Sequence, residues 1–153
     1  EMDLVVGSGK ACLLVMTERV SRKELIRKIP DKRQQSVKEA LDRLERKHRG
    51  QFSSRFKSFT MDNGNEFLDF RSLEASCLRP GESRTICYYA HPYSAWERGS
   101  NENANKLIRR FVPKGTDIGK LTARDIRRIE QWMNNYPRRM FGYKTANDVY
   151  EAA

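Results

Sequence analysis

The sequence predicts an α/β domain in which helices flank a mixed sheet of five strands. Its first third contains three short strand-like segments separated by turn residues, a pattern typical of an antiparallel meander. Helical and strand-like segments then alternate, which indicates that the later strands join the sheet through crossover connections. A chain of 153 residues, of which 38% are hydrophobic, suffices for one domain with one modest core.

Five segments have the apolar character of strands. The second is continuously apolar, as expected for a central strand that is buried on both faces. A Gly-Ser-Gly turn separates it from the first, and a Pro-Asp pair ends the third. The predicted strands are residues 3–6, 11–17, 20–29, 56–61 and 84–89.

Helices are indicated by apolar residues spaced three and four apart and by capping residues. The apolar stripe of the first predicted helix consists of Val37, Ala40, Leu41 and Leu44. Thr122 with Asp125, and Thr145 with Asp148, have the spacing of a capping box, so a helix should begin at each pair. The first predicted helix covers residues 34–48, and two more cover residues 66–76 and 100–111.

The charge is strongly basic and unevenly distributed. The net charge is +10, which makes nucleic acid the first partner to consider and a membrane surface the second. Residues 98–144 contain 12 Lys or Arg and 4 Asp or Glu, so they carry eight of the ten excess positive charges. No run of 18 apolar residues occurs, so no membrane span is expected. Three cysteines without CxxC spacing indicate reduced thiols in the cytoplasm.

Three acidic residues, Asp3, Asp62 and Glu102, are candidates for metal chemistry. Each alone has an ordinary explanation: a frayed strand end, an Asp-Asn-Gly turn, and an acid near a helix N-terminus. Two acids on strands and one on a helix can nevertheless converge on one point. Three carboxylates there would repel one another unless cations neutralised them, and carboxylate oxygens suit Mg²⁺ or Mn²⁺.

Five segments, in order along nearly the whole chain, resemble the catalytic core of IS30-family transposases. They are residues 1–7 (EMDLVVG), 61–67 (MDNGNEF), 91–105 (HPYSAWERGSNENAN), 111–117 (FVPKGTD) and 134–145 (NNYPRRMFGYKT). The resemblance implies an RNase H-like fold, shared with retroviral integrases. It also implies that Asp3, Asp62 and Glu102 form the DDE triad and bind Mg²⁺, for which Mn²⁺ can substitute.

The same resemblance implies the organisation and partners of the protein. Residues 1–153 would be an excised integrase/transposase catalytic core, without the helix-turn-helix region that precedes the core in IS30-like enzymes. The implied partners are DNA, as transposon ends and target, and further copies of the chain, at least a dimer when active on DNA. No membrane partner is implied, and the location would be the bacterial cytoplasm.

One face of the helix that carries Glu102 is a candidate DNA-binding surface. Asn105, Lys106 and Arg109 lie three, four and seven positions after the acid, hence on its face of the helix. Arg98 and Lys114 extend this basic region before and after the helix. The face can follow a DNA backbone next to the metals. The alternative is an ordinary Glu–Lys pair on a solvated helix.

The two tryptophans call for separate interpretations. Trp132 lies on the apolar stripe of a helix and is expected in the core. Trp96 lies in the loop before the helix of Glu102. We expect it to anchor that loop in the core, and the alternative is stacking on a DNA base.

The function expected from these features is metal-dependent DNA strand cleavage and strand transfer during transposition. Two alternatives remain open. The first keeps the fold but performs only hydrolysis, as a nuclease or resolvase does, because a fold alone does not select a reaction. The second is a catalytically inactive core that binds DNA.

Overall fold

The computed structural model describes residues 1–153, apart from the side chain of Ala95. The described strands are β1 (Met2–Val6), β2 (Cys12–Thr17), β3 (Glu24–Ile29), β4 (Ser58–Met61) and β5 (Ile86–Tyr89). The described α-helices are α1 (Gln34–His48), α2 (Phe52–Arg55), α3 (Phe70–Glu74), α4 (Gly99–Ile108), α5 (Ala123–Asn135) and α6 (Ala146–Glu151). A 3₁₀ turn at Ala95–Arg98 leads directly into α4.

The strands form two sheets, so the expectation of a single five-stranded sheet is wrong. β1, β2 and β3 pair antiparallel in that order, and β4 pairs parallel with β5. β4 lies beside β1, but no backbone hydrogen bond between these two strands occurs in the described chain. The carbonyl oxygen of Met2 in β1 accepts a hydrogen bond from the guanidinium of Arg98 at 3.2 Å. This carbonyl is therefore satisfied without a partner strand.

β2 is buried along its whole length because the antiparallel sheet has a hydrophobic cluster on each face. Leu14 and Met16 point into a cluster with residues of α1 and β4. Leu13 and Val15 alternate with them and point into a cluster with residues of α4 and α5. The continuous apolar run predicted as a central strand is thus a strand between two helical layers.

Several helix predictions are confirmed. α1 has the expected bounds, and its apolar stripe is buried. Thr122 and Thr145 each cap a helix through reciprocal hydrogen bonds with the Asp three positions later. Trp132 of α5 packs against its core cluster, with its ring centroid 4.9 Å from that of Phe111.

Other element boundaries differ from the expectation for local reasons. The predicted strand 20–29 begins only at Glu24, because Glu18 to Lys23 form a turn closed by backbone hydrogen bonds. The predicted helix 66–76 is divided, because the side chain of Asp69 caps a new helix, α3, through the backbone N–H of Ser72. α4 ends at Ile108. The carbonyl of Ile108 accepts hydrogen bonds from the backbone N–H groups of the turn that follows, shortly before Pro113.

Two further features concern the cysteines and the helices. Cys12, Cys77 and Cys87 are free thiols. Among the described helices, none has both the length and the apolar character needed to cross a membrane.

Candidate active site

Asp3 lies in the middle of β1, opposite Val15 of β2, with its side chain about a quarter exposed. One carboxylate oxygen, Oδ1, accepts from the backbone N–H of Leu4 at 2.9 Å. The other, Oδ2, accepts from the side-chain amide of Asn105 in α4 at 2.9 Å. Asp3 is therefore an ordered residue that joins β1 to α4, and the frayed-end interpretation is wrong.

Asp62 follows β4 directly, and its carboxylate has two separate roles. Oδ1 accepts from the backbone N–H of Gly64 at 2.9 Å, which forms the turn expected from an Asp-Asn-Gly sequence. A Cβ at Gly64 would lie 2.8 Å from this oxygen, so a larger residue would disturb the turn. Oδ2 is not used by the turn and lies 3.1 Å from the guanidinium of Arg98. The turn interpretation of Asp62 is therefore confirmed, and its second oxygen faces a positive group.

Arg98 connects the two strand-borne acids. Its Nη2 lies 3.3 Å from Oδ2 of Asp3, and its Nη1 lies 3.1 Å from Oδ2 of Asp62. The side chain of Arg98 is 15% exposed. Because one guanidinium reaches an oxygen of each acid, the two carboxylates face a common point. The sequence suggested Arg98 as a DNA contact, and no sequence signal indicated that it bridges the acids.

Glu102 lies in the first turn of α4 and is 63% exposed. Its carboxylate pairs with Lys106 one turn later at 3.0 Å. Asp3 and Glu102 line a common open cleft of about 570 Å³. The cleft is also lined by Arg98, Asn101, Asn105, Lys106 and Arg109. Asp62 is not among the lining residues, since Arg98 stands between it and the cleft.

The proposed DNA-binding face of α4 is brought to this same cleft. Asn105 and Arg109 are held there by hydrogen bonds to Asp3 and to the carbonyl of Val6, at 2.9 and 3.0 Å. Lys106 is exposed beside them. Lys114 is exposed beyond the end of α4 and does not line the cleft.

The loop before α4 is closed by polar contacts rather than by a buried aromatic ring. Glu97 accepts from the backbone N–H of His91 at 2.9 Å and lies 3.0 Å from its Nδ1. These two hydrogen bonds hold the pKa of Glu97 below its usual value. Trp96 is 77% exposed, so the expectation that it anchors the loop in the core is wrong.

The carboxylates of the site have the chemistry that a divalent cation requires. Asp3 and Asp62 each direct an oxygen at one positive group, and Glu102 supplies a third carboxylate at the adjoining cleft. Oxygen-only ligands with exposure to solvent suit Mg²⁺ or Mn²⁺. The donor chemistry therefore suits the metal that the sequence resemblance implies, but in the described structure the ligand atoms of Asp3, Asp62 and Glu102 do not all lie within 4.8 Å of one another.

A second acidic cluster has metal-like spacing but a different explanation. Oxygens of Asp42 and Glu45 and the sulfur of Cys77 lie within 4.8 Å of one another. The fully buried Arg84 lies 2.5 Å from Asp42 and 3.2 Å from Glu45. Burial alone would raise the pKa of Asp42, but hydrogen bonds from Lys38 and Arg84 hold it below its usual value. We therefore assign this cluster to a buried ion-pair network and not to a metal.

Comparison with known proteins was consistent with this geometry. No family model matches the chain. The chain is 32% identical over 152 residues to the transposase for insertion sequence element IS4351 of Bacteroides fragilis. This match covers 99% of this chain and 44% of that transposase. It is also 32% identical over 151 residues to the transposase InsI for insertion sequence element IS30C of Escherichia coli K12. This match covers 99% of this chain and 37% of that transposase. The chain thus spans less than half the length of these curated relatives.

A solved structure shows the fold relationship. The chain superposes on a chain of the simian T-cell lymphotropic virus intasome, determined in complex with the PP2A regulatory subunit B56 gamma, with a TM-score of 0.70. The sequence identity is 14%, and the match covers 99% of this chain and 53% of that one. The mixed α/β fold of this chain is thus shared with a chain of that complex. Over nearly its entire length, this chain is therefore a relative of the IS30-type insertion-sequence transposases.

Proposed function

We propose that this chain is the catalytic core of a DDE transposase, which cleaves DNA at transposon ends and transfers the freed strand to target DNA. The observation that supports this most directly is the convergence of Asp3 and Asp62 on one guanidinium, beside the cleft that holds Glu102. The transposase relatives and the integrase-like fold support the same assignment.

Asp3, Asp62 and Glu102 would hold the catalytic ions. These would be Mg²⁺ ions, for which Mn²⁺ can substitute. The chemistry that such ions supply when bound is activation of the attacking oxygen and stabilisation of the leaving oxygen at phosphorus. In the first reaction water breaks a phosphodiester bond and leaves a 3′-hydroxyl. In the second, that hydroxyl forms a new bond to a target phosphorus, and the bond from this phosphorus to the 3′-oxygen of the target strand breaks.

The remaining residues of the cleft would align the DNA. Asn105 fixes the Asp3 carboxylate by donating to Oδ2, so the acid keeps one orientation. Lys106 is exposed beside Glu102, and its ammonium can contact a phosphate at the cleft. Arg109 would contact the same backbone, and Arg98 and Lys114 would add charge on either side. A second copy of the chain would be needed to hold both transposon ends together.

Asp62→Asn tests the metal assignment most sharply, because asparagine preserves the turn acceptor but removes the charge. With labelled duplex DNA and Mn²⁺, we expect the unmodified chain to cleave and Asp62→Asn to lose cleavage. Calorimetry should show Mn²⁺ binding that the same substitution greatly weakens. Glu39→Gln, at an exposed site on α1, is the matched control and should change neither property. Equal Mn²⁺ binding by all three proteins would contradict the assignment.

The products distinguish strand transfer from simple hydrolysis. A transposase core joins a pre-cleaved 3′ end to a second duplex, which produces a longer labelled strand. A nuclease or resolvase yields only shortened strands. Cleavage without any joined product, in the presence of a pre-cleaved end, would favour the nuclease alternative, and DNA binding without either product would favour the inactive core.

A further inference from the structure

We propose, building on the function proposed above, that Arg98 is an internal counter-ion of the metal site and that a divalent cation must displace it to bind. Its two terminal nitrogens lie 3.3 and 3.1 Å from oxygens of Asp3 and Asp62. The other oxygen of each carboxylate accepts a backbone hydrogen bond, so Arg98 contacts the oxygen of each acid that no backbone group of the described residues uses. The guanidinium therefore supplies the positive charge that the two carboxylates need.

The guanidinium and the metal exclude each other for electrostatic and steric reasons. Two carboxylates at one point repel unless a cation lies between them. The fork of an arginine satisfies them by directional hydrogen bonds. A divalent cation would need the same oxygens and would repel the guanidinium. Binding of the metal therefore includes the breaking of both Arg98 contacts to the acids, and of its hydrogen bond to the Met2 carbonyl where the guanidinium leaves.

Arg98 lies next to open space at the start of α4. It is the last residue of the Ala95–Arg98 turn and is followed by Gly99, around which a Cβ would meet no atom within 4 Å. Within the described structure, its Nε is buried and has no hydrogen-bond partner, so this contact set is incomplete. The neighbouring Trp96 is exposed and does not tie the turn to the core.

Displacement would connect metal binding to DNA binding. In the contacts described above the charge of Arg98 is neutralised by the acids. When the metal replaces it, the guanidinium becomes free at the edge of the cleft, next to Lys106 and Arg109. A freed guanidinium is well suited to a phosphate, which it contacts through two parallel hydrogen bonds. Metal and DNA should therefore each increase the affinity for the other.

The test is the affinity for Mn²⁺, measured by calorimetry without DNA on the unmodified chain, Arg98→Gln and Arg98→Lys. If the guanidinium competes with the metal, Arg98→Gln should bind Mn²⁺ roughly tenfold more tightly or better, since charge-assisted hydrogen bonds no longer need to be broken. Arg98→Lys keeps the charge but loses the fork, and its affinity should lie between the two. It also provides a folded comparison if the glutamine variant is unstable.

Arg109→Gln is the matched control, because it removes the same charge from the same cleft without touching Asp3 or Asp62. We expect it to change the affinity much less than Arg98→Gln. Equal or weaker Mn²⁺ binding by Arg98→Gln would overturn the counter-ion role while leaving the metal site intact. Absence of Mn²⁺ binding in every protein would overturn the metal site of the proposed function, and the counter-ion role with it.

A spectroscopic measurement reports the displacement directly. Trp96 lies two residues from Arg98, and in a Trp132→Phe background it is the sole tryptophan. Mg²⁺ should change its fluorescence in the Arg98 protein and have little effect in Arg98→Gln, where no side chain has to leave. An equal response in both proteins would contradict displacement.

Discussion

Burial of Glu24 makes the stability of this protein depend on pH in an unusual direction. Glu24 begins β3 and is almost completely buried, and this burial raises the pKa of its carboxyl from 4.5 to about 7. The hydroxyl of Thr17 lies 2.7 Å from Glu24 and 2.9 Å from the side-chain oxygen of Asn101. One hydroxyl has one proton, so it cannot donate to both. A protonated Glu24 can donate to Thr17, which then donates to the side-chain oxygen of Asn101, so each of the two contacts has its own proton.

The sign and size of the effect follow from the two pKa values. Because the pKa of Glu24 is higher in the folded state, its contribution to stability is complete below pH 4.5 and is lost as the pH rises through about 7. A difference of this size corresponds to about 3 kcal/mol in the free energy of unfolding. For a domain of this length, that is about 6–12 °C in the melting temperature.

Glu24→Gln should remove this dependence, because glutamine remains neutral and can donate to Thr17. We expect the stability of the unmodified chain, relative to Glu24→Gln, to fall by up to about 3 kcal/mol between about pH 4.5 and pH 8. Urea unfolding at both pH values measures it, and the comparison cancels other titrating groups. Glu39→Gln, which is exposed, should show no such change. A constant difference between the chain and Glu24→Gln at both pH values would refute the reasoning.

Three further predictions follow from contacts described above. Lys106→Ala combined with Arg109→Ala should lower the salt dependence of DNA binding by roughly two units of slope, about one per lost phosphate contact, and an unchanged slope would place the DNA elsewhere. Arg84→Met should destabilise the fold by about 3–5 kcal/mol in urea unfolding, because it leaves buried acids without a partner; a loss below 1 kcal/mol would show that water or another cation replaces it. Trp96→Ala should change stability by no more than about 0.5 kcal/mol, since the ring is exposed, whereas a loss of several kcal/mol would restore the core interpretation.

Local patterns in the sequence were sufficient wherever one segment determines its own structure. α1 was predicted with its observed bounds because its apolar stripe repeats over two turns, and the capping pairs at Thr122 and Thr145 form within four residues. That β4 lies beside β1 without pairing with it, within the described chain, was not predictable in this way. It depends on residues that are more than 50 positions apart and on Arg98, whose side chain takes the Met2 carbonyl.

The candidate site likewise combines residues that the sequence predicted with a contact that it did not predict. Asp3, Asp62 and Glu102 were identified from the sequence resemblance, and the structure brings Asp3 and Asp62 to one guanidinium. The partner of the acids was not identified, because an arginine before a helix has many possible contacts. Trp96 was misplaced for a related reason: a tryptophan is usually buried, and only the polar closure of the loop by Glu97 makes burial unnecessary here.

The two acid–arginine clusters of this chain indicate why one cation can be replaced and the other cannot. Arg84 is fully inaccessible and pairs with acids that are at most 7% exposed, so breaking that cluster leaves charges without water, at a cost of about 3–5 kcal/mol. Asp62, in contrast, is 46% exposed, and water can solvate it when Arg98 leaves. Asp3 is 23% exposed and Arg98 is 15% exposed, so these contacts are partly buried, whereas those of Arg84 are fully buried. A divalent cation with solvent access can therefore compete with Arg98 but not with Arg84, so the same pair of residue types is structural in one place and exchangeable in the other.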